Sequence, residues 1–121
     1  MLDFEPGEIG IPNGHFIGGK LVHRGGPVLD VLRPSDSQLL ATLPDASDDL
    51  VDEAVQNAHA AWLSSGWGTC PPRERARVLR KWADLLVEHA PELARLEAVG
   101  STRPIRDALA HEVPFSADCI R

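Results

Sequence analysis

The stretch Ser47-Asp48-Asp49-Leu50-Val51-Asp52-Glu53-Ala54-Val55-Gln56-Asn57-Ala58-His59-Ala60-Ala61-Trp62-Leu63-Ser64 decides the reading of this chain. Its apolar residues Val51, Ala54, Val55, Ala58, Ala61 and Trp62 recur at steps of three and four, which places them on one face of a helix. Ser47 is a suitable N-cap. Asp48, Asp49, Asp52 and Glu53 set negative charge at the positive end of the helix dipole. Ser64-Ser65-Gly66 ends the segment.

Toward the C-terminus, a second helix opens after Pro71-Pro72, where missing backbone donors do no harm. Val78, Leu79, Trp82, Leu85 and Leu86 form its predicted buried stripe, and Arg73, Arg75, Arg77, Arg80 and Lys81 fall largely on other faces. Pro91 removes a helical hydrogen bond and must kink or restart the helix. Leu93 and Leu96 continue the stripe, and Gly100 offers a stop. A short helix can follow Pro104 and another can start near Pro114. Ala117 and Ile120 begin a further apolar face just before Arg121. Domain boundaries usually fall in polar linkers, so the domain is expected to be truncated at its C-terminal end.

Toward the N-terminus, residues 1–15 are rich in Gly, Pro and acid and are expected to form an extended arm. A β-prone run follows at 15–22, then the turn residues Gly25-Gly26-Pro27, a second run at 28–32, a turn at 33–37 and a third run at 38–43. Gly25 and Gly26 tolerate the positive φ of a tight hairpin connection. Phe16-Ile17-Gly18-Gly19-Lys20 matches no phosphate loop, neither GxGxxG nor GxxxxGK[ST], and reads as a turn within a sheet. Strands followed by three or four helices make the chain α+β.

The 121 residues leave room for one compact domain or part of a larger one. A net charge of −6 argues against nucleic acid and anionic membrane as partners, since both need a positive field. No run approaches the length of a membrane span, and the acidic start MLDFEPGEIG lacks the pattern of a secretory signal, so the expected location is cytoplasmic. There Cys70 and Cys119 stay reduced. The five histidines lack ligand spacing, which leaves no zinc site. The arginine-rich segment 73–81 reads as a solvated helix face. Cys70 precedes an arginine-rich helix start, yet it reads as a small loop residue, since no base accompanies it. Cys119 is expected to be buried, and Trp62, Trp67 and Trp82 to be packing residues.

From about His15 to Arg121 the order of features resembles the aldehyde dehydrogenase superfamily. The resemblance rests on Phe16-Ile17-Gly18-Gly19-Lys20, on Val31-Leu32-Arg33-Pro34 before a turn, and on the helix beginning Leu50-Val51-Asp52-Glu53-Ala54-Val55. It continues with Trp67 ahead of Pro72-Arg73-Glu74-Arg75-Ala76-Arg77-Val78-Leu79, then Glu92-Leu93-Ala94-Arg95-Leu96-Glu97, then Thr102-Arg103-Pro104. Pro104-Ile105-Arg106 and Val113-Pro114 look most like the bacterial group acting on γ-glutamyl-γ-aminobutyraldehyde. The sequence departs from the family pattern at Arg33, usually Asn, and at Thr102-Arg103, usually Gly-Lys.

The resemblance implies a Rossmann-like α/β subunit with cofactor-binding, catalytic and oligomerisation parts. Residues 16–121 correspond to the N-terminal part of the cofactor-binding and oligomerisation region. It implies attack of a cysteine thiolate on an aldehyde, hydride transfer to NAD or NADP, and thioester hydrolysis. The nucleophile, base, oxyanion and nucleotide-loop motifs match nothing here, so neither a catalytic residue nor cofactor binding is expected of this chain alone. One site matches in part: the resemblance implies a structural monovalent cation held by the backbone carbonyls of Val31 and Leu32 and by the carboxylate of Glu112, where the family has Asp, with the remaining ligand missing; the alternative is a solvated Glu112. The expected partner is the rest of an aldehyde dehydrogenase subunit, or a second copy of the chain. The alternative is a non-catalytic truncated pseudoenzyme or helical interaction module.

Overall fold

A computed structural model describes residues 4–121. The strands are β1 (His15–Ile17), β2 (Lys20–Val22), β3 (Val28–Leu32) and β4 (Leu39–Pro44). The helices are α1 (Asp48–Ser64), α2 (Pro72–Glu88), α3 (Ala90–Ser101), α4 (Ile105–Asp107) and α5 (Val113–Ile120). A 3-10 turn lies at Pro6–Glu8 and a π-helical turn at Ala108–Glu112. Strands first and helices after is the α+β order expected from the sequence. The chain divides into two compact units. One holds Ile11–Leu32 and Leu39–Cys70; the other holds the described part of Met1–Gly10, Arg33–Gln38 and Pro71–Arg121.

The first unit contains two antiparallel hairpins and α1. The 15–22 run folds back on itself, pairing His15 with Val22 and Ile17 with Lys20. Its turn is Gly18-Gly19, with φ of 60° and 76°. Two successive positive φ values are what a two-residue turn matched to strand twist requires. The hairpin connection expected at Gly25-Gly26 is therefore at Gly18-Gly19 instead. Gly25 serves a close approach: a Cβ there would lie 2.2 Å from the Asp45 carbonyl oxygen. Gly26 N–H donates to that same oxygen at 2.6 Å. β3 pairs with β4 from Val28↔Pro44 to Leu32↔Leu39, with a register shift after Val31 that leaves Leu40 as the extra residue.

α1 has the bounds read from its sequence, with Ser47 at the N-cap position and acid in its first turn. The Ser47 side chain makes no capping bond; its carbonyl accepts from the N–H groups of Leu50 and Val51. Leu50 is the buried residue of this helix at 3% exposure.

In the second unit α2 ends at His89, whose φ of −94° and ψ of 14° leave the helical region. α3 then restarts with Pro91 in its first turn, as the proline predicts. α3 does not stop at Gly100. It runs to Ser101 and ends on Thr102 in the left-handed conformation, φ 62° and ψ 12°. The helices expected after Pro104 and near Pro114 run together through the π turn, with Glu112 and Val113 both right-handed helical. The ladder widens just ahead of Pro114, which has no N–H to give it.

The core of the second unit consists of small residues. Ala83, Ala94, Ala108 and Ala117 are each 0% exposed, with Ala90, Val99 and Val113 beside them. Alanine lets helix backbones approach closely, and α2 packs chiefly on α5, with α3 against the π turn. The stripe expected to be buried on α2 is instead largely exposed: Val78, Leu79, Trp82 and Leu85 all face outward. On α1 the same holds for Val51, Val55 and Trp62. Periodicity marks which face of a helix is apolar; it does not say what covers that face. Cys119, expected to be buried, is exposed. Trp62 and Trp82 are packing residues only in part, although Trp62 lays its ring edge where a Cβ on Gly68 would be 2.9 Å away.

Candidate functional site

The polar geometry of interest gathers at the two places where the sequence departs from the family pattern. Arg33 lies at the base of the β3–β4 connection. Its N–H donates to the Gln38 carbonyl at 2.7 Å and its carbonyl accepts from Ser37 N–H at 2.9 Å. Its guanidinium forks onto one carboxylate, Nε at 3.1 Å from Asp36 Oδ1 and Nη2 at 2.8 Å from Asp36 Oδ2. Asp36 Oδ1 also accepts from Gln38 N–H at 3.0 Å. Two parallel charge-assisted bonds fix geometry better than one, and they hold a turn in which Ser37 has a φ of 58°.

The second departure follows α3. Ser101 Oγ donates to the Glu97 carbonyl at 2.7 Å and accepts from Arg103 N–H at 3.3 Å. Thr102 Oγ1 donates to the Ser101 carbonyl at 2.6 Å. This sends the Arg103 side chain to Glu112, with Nη1 2.5 Å from Oε1. Glu112 closes the π turn and, with Glu97, lines a groove of about 450 Å³ whose apolar walls include Leu86, Leu93, Leu96 and Val113.

Of the three residues expected to hold a cation, Val31 and Leu32 belong to the strand unit and Glu112 to the helical unit. The Glu112 carboxylate already has a cationic partner in Arg103. Among the described residues, no three His, Cys, Asp or Glu side chains are grouped to hold a metal ion.

The pyrophosphate of a dinucleotide is commonly held at a helix N-terminus that offers free N–H groups behind a glycine turn. α1 opens with Asp48 and Asp49, while the first turns of α2 and α3 each contain a proline and an acid, Pro72 with Glu74 and Pro91 with Glu92. Gly18-Gly19 leads into a strand, and the space beside Gly25 is filled by the chain's own Asp45.

Neither Cys70 nor Cys119 is in a disulfide. Cys70 N–H donates to the Gly66 carbonyl at 2.9 Å, in the turn between α1 and α2. The arginine-rich face is largely solvated, as read: Arg73, Arg77, Arg80 and Lys81 are exposed, and Arg77 pairs with Glu74 at 3.1 Å. Sequence reasoning missed the partners of Arg103 and Arg33. It also missed Arg121, whose guanidinium meets Asp84 at 3.0 Å and Asp118 at 2.8 Å. Those two carboxylates, Asp84 foremost, raise the Arg121 pKa above its ordinary value. Arg33/Asp36 and Asp118/Arg121 stand at i,i+3, a spacing visible in the sequence; Arg103/Glu112 and Asp84/Arg121 follow no local period.

Comparison with known proteins agrees with the order of motifs. The family model for the aldehyde dehydrogenase family matches residues 22–121. The phenylacetaldehyde dehydrogenase of Pseudomonas fluorescens is 35% identical over 112 residues, 92% of this chain and 22% of that protein. Among solved structures, the γ-glutamyl-γ-aminobutyraldehyde dehydrogenase of Burkholderia cenocepacia superposes with a TM-score of 0.83 at 32% identity, over 94% of this chain and 23% of that one. The indole-3-acetaldehyde dehydrogenase AldA of P. syringae, in complex with NAD+, gives 0.85 at 28% identity, over 95% and 23%. The chain thus spans less than a quarter of the length of these relatives. With its strands, helices and motif order all matching, the chain belongs to the aldehyde dehydrogenase family.

Proposed function

We propose that this chain supplies the N-terminal part of the cofactor-binding and oligomerisation region of an NAD(P)-dependent aldehyde dehydrogenase, working in the cytoplasm. In this reading the oxidation is carried out by residues outside the chain. The observation that carries it is the outward apolar face of α2, Val78, Leu79, Trp82 and Leu85, over a core built from alanines. Such a face is built to be covered, either by the rest of a subunit or by a second copy. The net charge of −6 disfavours nucleic acid or an anionic membrane in that role. Among the described residues no helix is long and apolar enough to cross a membrane. For the whole enzyme, Pro104-Ile105-Arg106 and Val113-Pro114, with the likeness to the Burkholderia structure, favour an amino-aldehyde of the γ-glutamyl type as substrate.

The test is direct. The purified chain, given NAD+ or NADP+ and γ-aminobutyraldehyde or phenylacetaldehyde, is expected to form no reduced nucleotide. Turnover that disappears in Cys70→Ala would overturn the proposal.

A further inference from the structure

We propose that Arg103, and not an alkali cation, supplies the positive charge opposite Glu112 in this protein. The two positions at which the chain departs from the family around this site touch each other: the arginine that stands for lysine and the glutamate that stands for aspartate meet at 2.5 Å. A guanidinium is a permanent cation in proteins. It therefore delivers permanently the single positive charge that a bound sodium or potassium ion would bring. Its approach is fixed from the main chain, since Ser101 Oγ accepts from Arg103 N–H and left-handed Thr102 turns the chain out of α3. Glu112 is fixed from its own side, at the end of the π turn and with its carbonyl accepting from Ser116 Oγ at 2.8 Å. An alkali ion on the same carboxylate would sit beside the guanidinium and be repelled by it. The ion pair ties the turn before α4 to the start of α5. This inference concerns ion binding alone and holds or fails whether or not the chain oxidises aldehydes.

The melting temperature of the purified protein is measured in the chlorides of sodium, potassium, caesium and tetramethylammonium at one ionic strength. The four values are expected to agree within about 1 °C, because a site filled by its ligand would raise the midpoint by several degrees. An alkali-specific rise that Glu112→Gln removes would overturn the proposal. Arg103→Gln, Glu112→Gln and the double variant form a cycle: the double is expected to melt no lower than the worse single, and additive losses would count against the pair. Should the variants not fold, the sodium NMR line width of the unaltered protein still decides. Broadening that potassium reverses refutes the inference, and an unbroadened line supports it.

Discussion

Thr102 adopts φ 62°, a region that a β-branched residue enters only at a cost. The left-handed conformation opposes the Cβ of an L-residue by about 1–2 kcal/mol, and glycine escapes that penalty. The family pattern has glycine at this position, which is where α3 must end to release the chain toward α4. Thr102→Gly is therefore expected to stabilise the protein by about 1 kcal/mol, part of the gain being offset by the greater freedom of the unfolded chain. Thermal unfolding of the variant checks it, and a lowered midpoint refutes it. Arg33 shows the opposite case, a departure with its own compensation. Its forked pair with Asp36 orders the β3–β4 turn, so Asp36→Ala is expected to cost about 0.5–1 kcal/mol and to speed amide exchange at Gln38. Unchanged exchange at Gln38 would show that the turn does not need the fork. Neither residue advertises its role in the sequence: a strained Thr and a paired Arg look like any polar surface residue until φ and distance are known.

Among the elements, those with strong local signals were legible. The acidic first turn and three-four spacing of α1, the proline starts of α2 and α3 and the three β-prone runs all appear where the residues place them. The internal turn at Gly18-Gly19 was legible as a turn; that it splits a single run into two paired strands was not, because the run has only three residues on either side. Gly100 looks like a stop for α3, but a helix tolerates glycine, and this one ends where Thr102 turns left-handed. Burial was the least legible property. The large residues of the α2 stripe face outward while alanines fill the seam, and this inverts the usual expectation for mutation. Ala94→Leu is expected to cost about 1–3 kcal/mol, because a fully enclosed alanine has no room for added methylenes. Trp82→Ser is expected to cost less than Ala94→Leu, since its side chain is 54% exposed. Denaturant unfolding of both variants tests the contrast, and a Trp82→Ser loss exceeding that of Ala94→Leu would refute it.

In the molecule as a whole, the two units are unequally supported. The strand unit has Leu50 as its buried apolar residue, whereas the helical unit encloses residues from α2, α3, the π turn and α5. Local opening should follow that inequality: amides of α1 are expected to exchange faster than those in the middle of α2, and the reverse order would refute it. The family was legible from motif order alone. The geometry around Glu112 was not, because its partner lies nine residues away across a turn and obeys no helical or strand period. The two uncovered faces have one further consequence. The chain has three tryptophans and no tyrosine, so its ultraviolet emission is tryptophan emission. Trp62 and Trp82 sit on the exposed faces of α1 and α2, while Trp67 is half-buried in the connecting turn. Whatever comes to cover either face takes an indole out of water, and the protein then reports its own assembly as a blue shift, without any added dye.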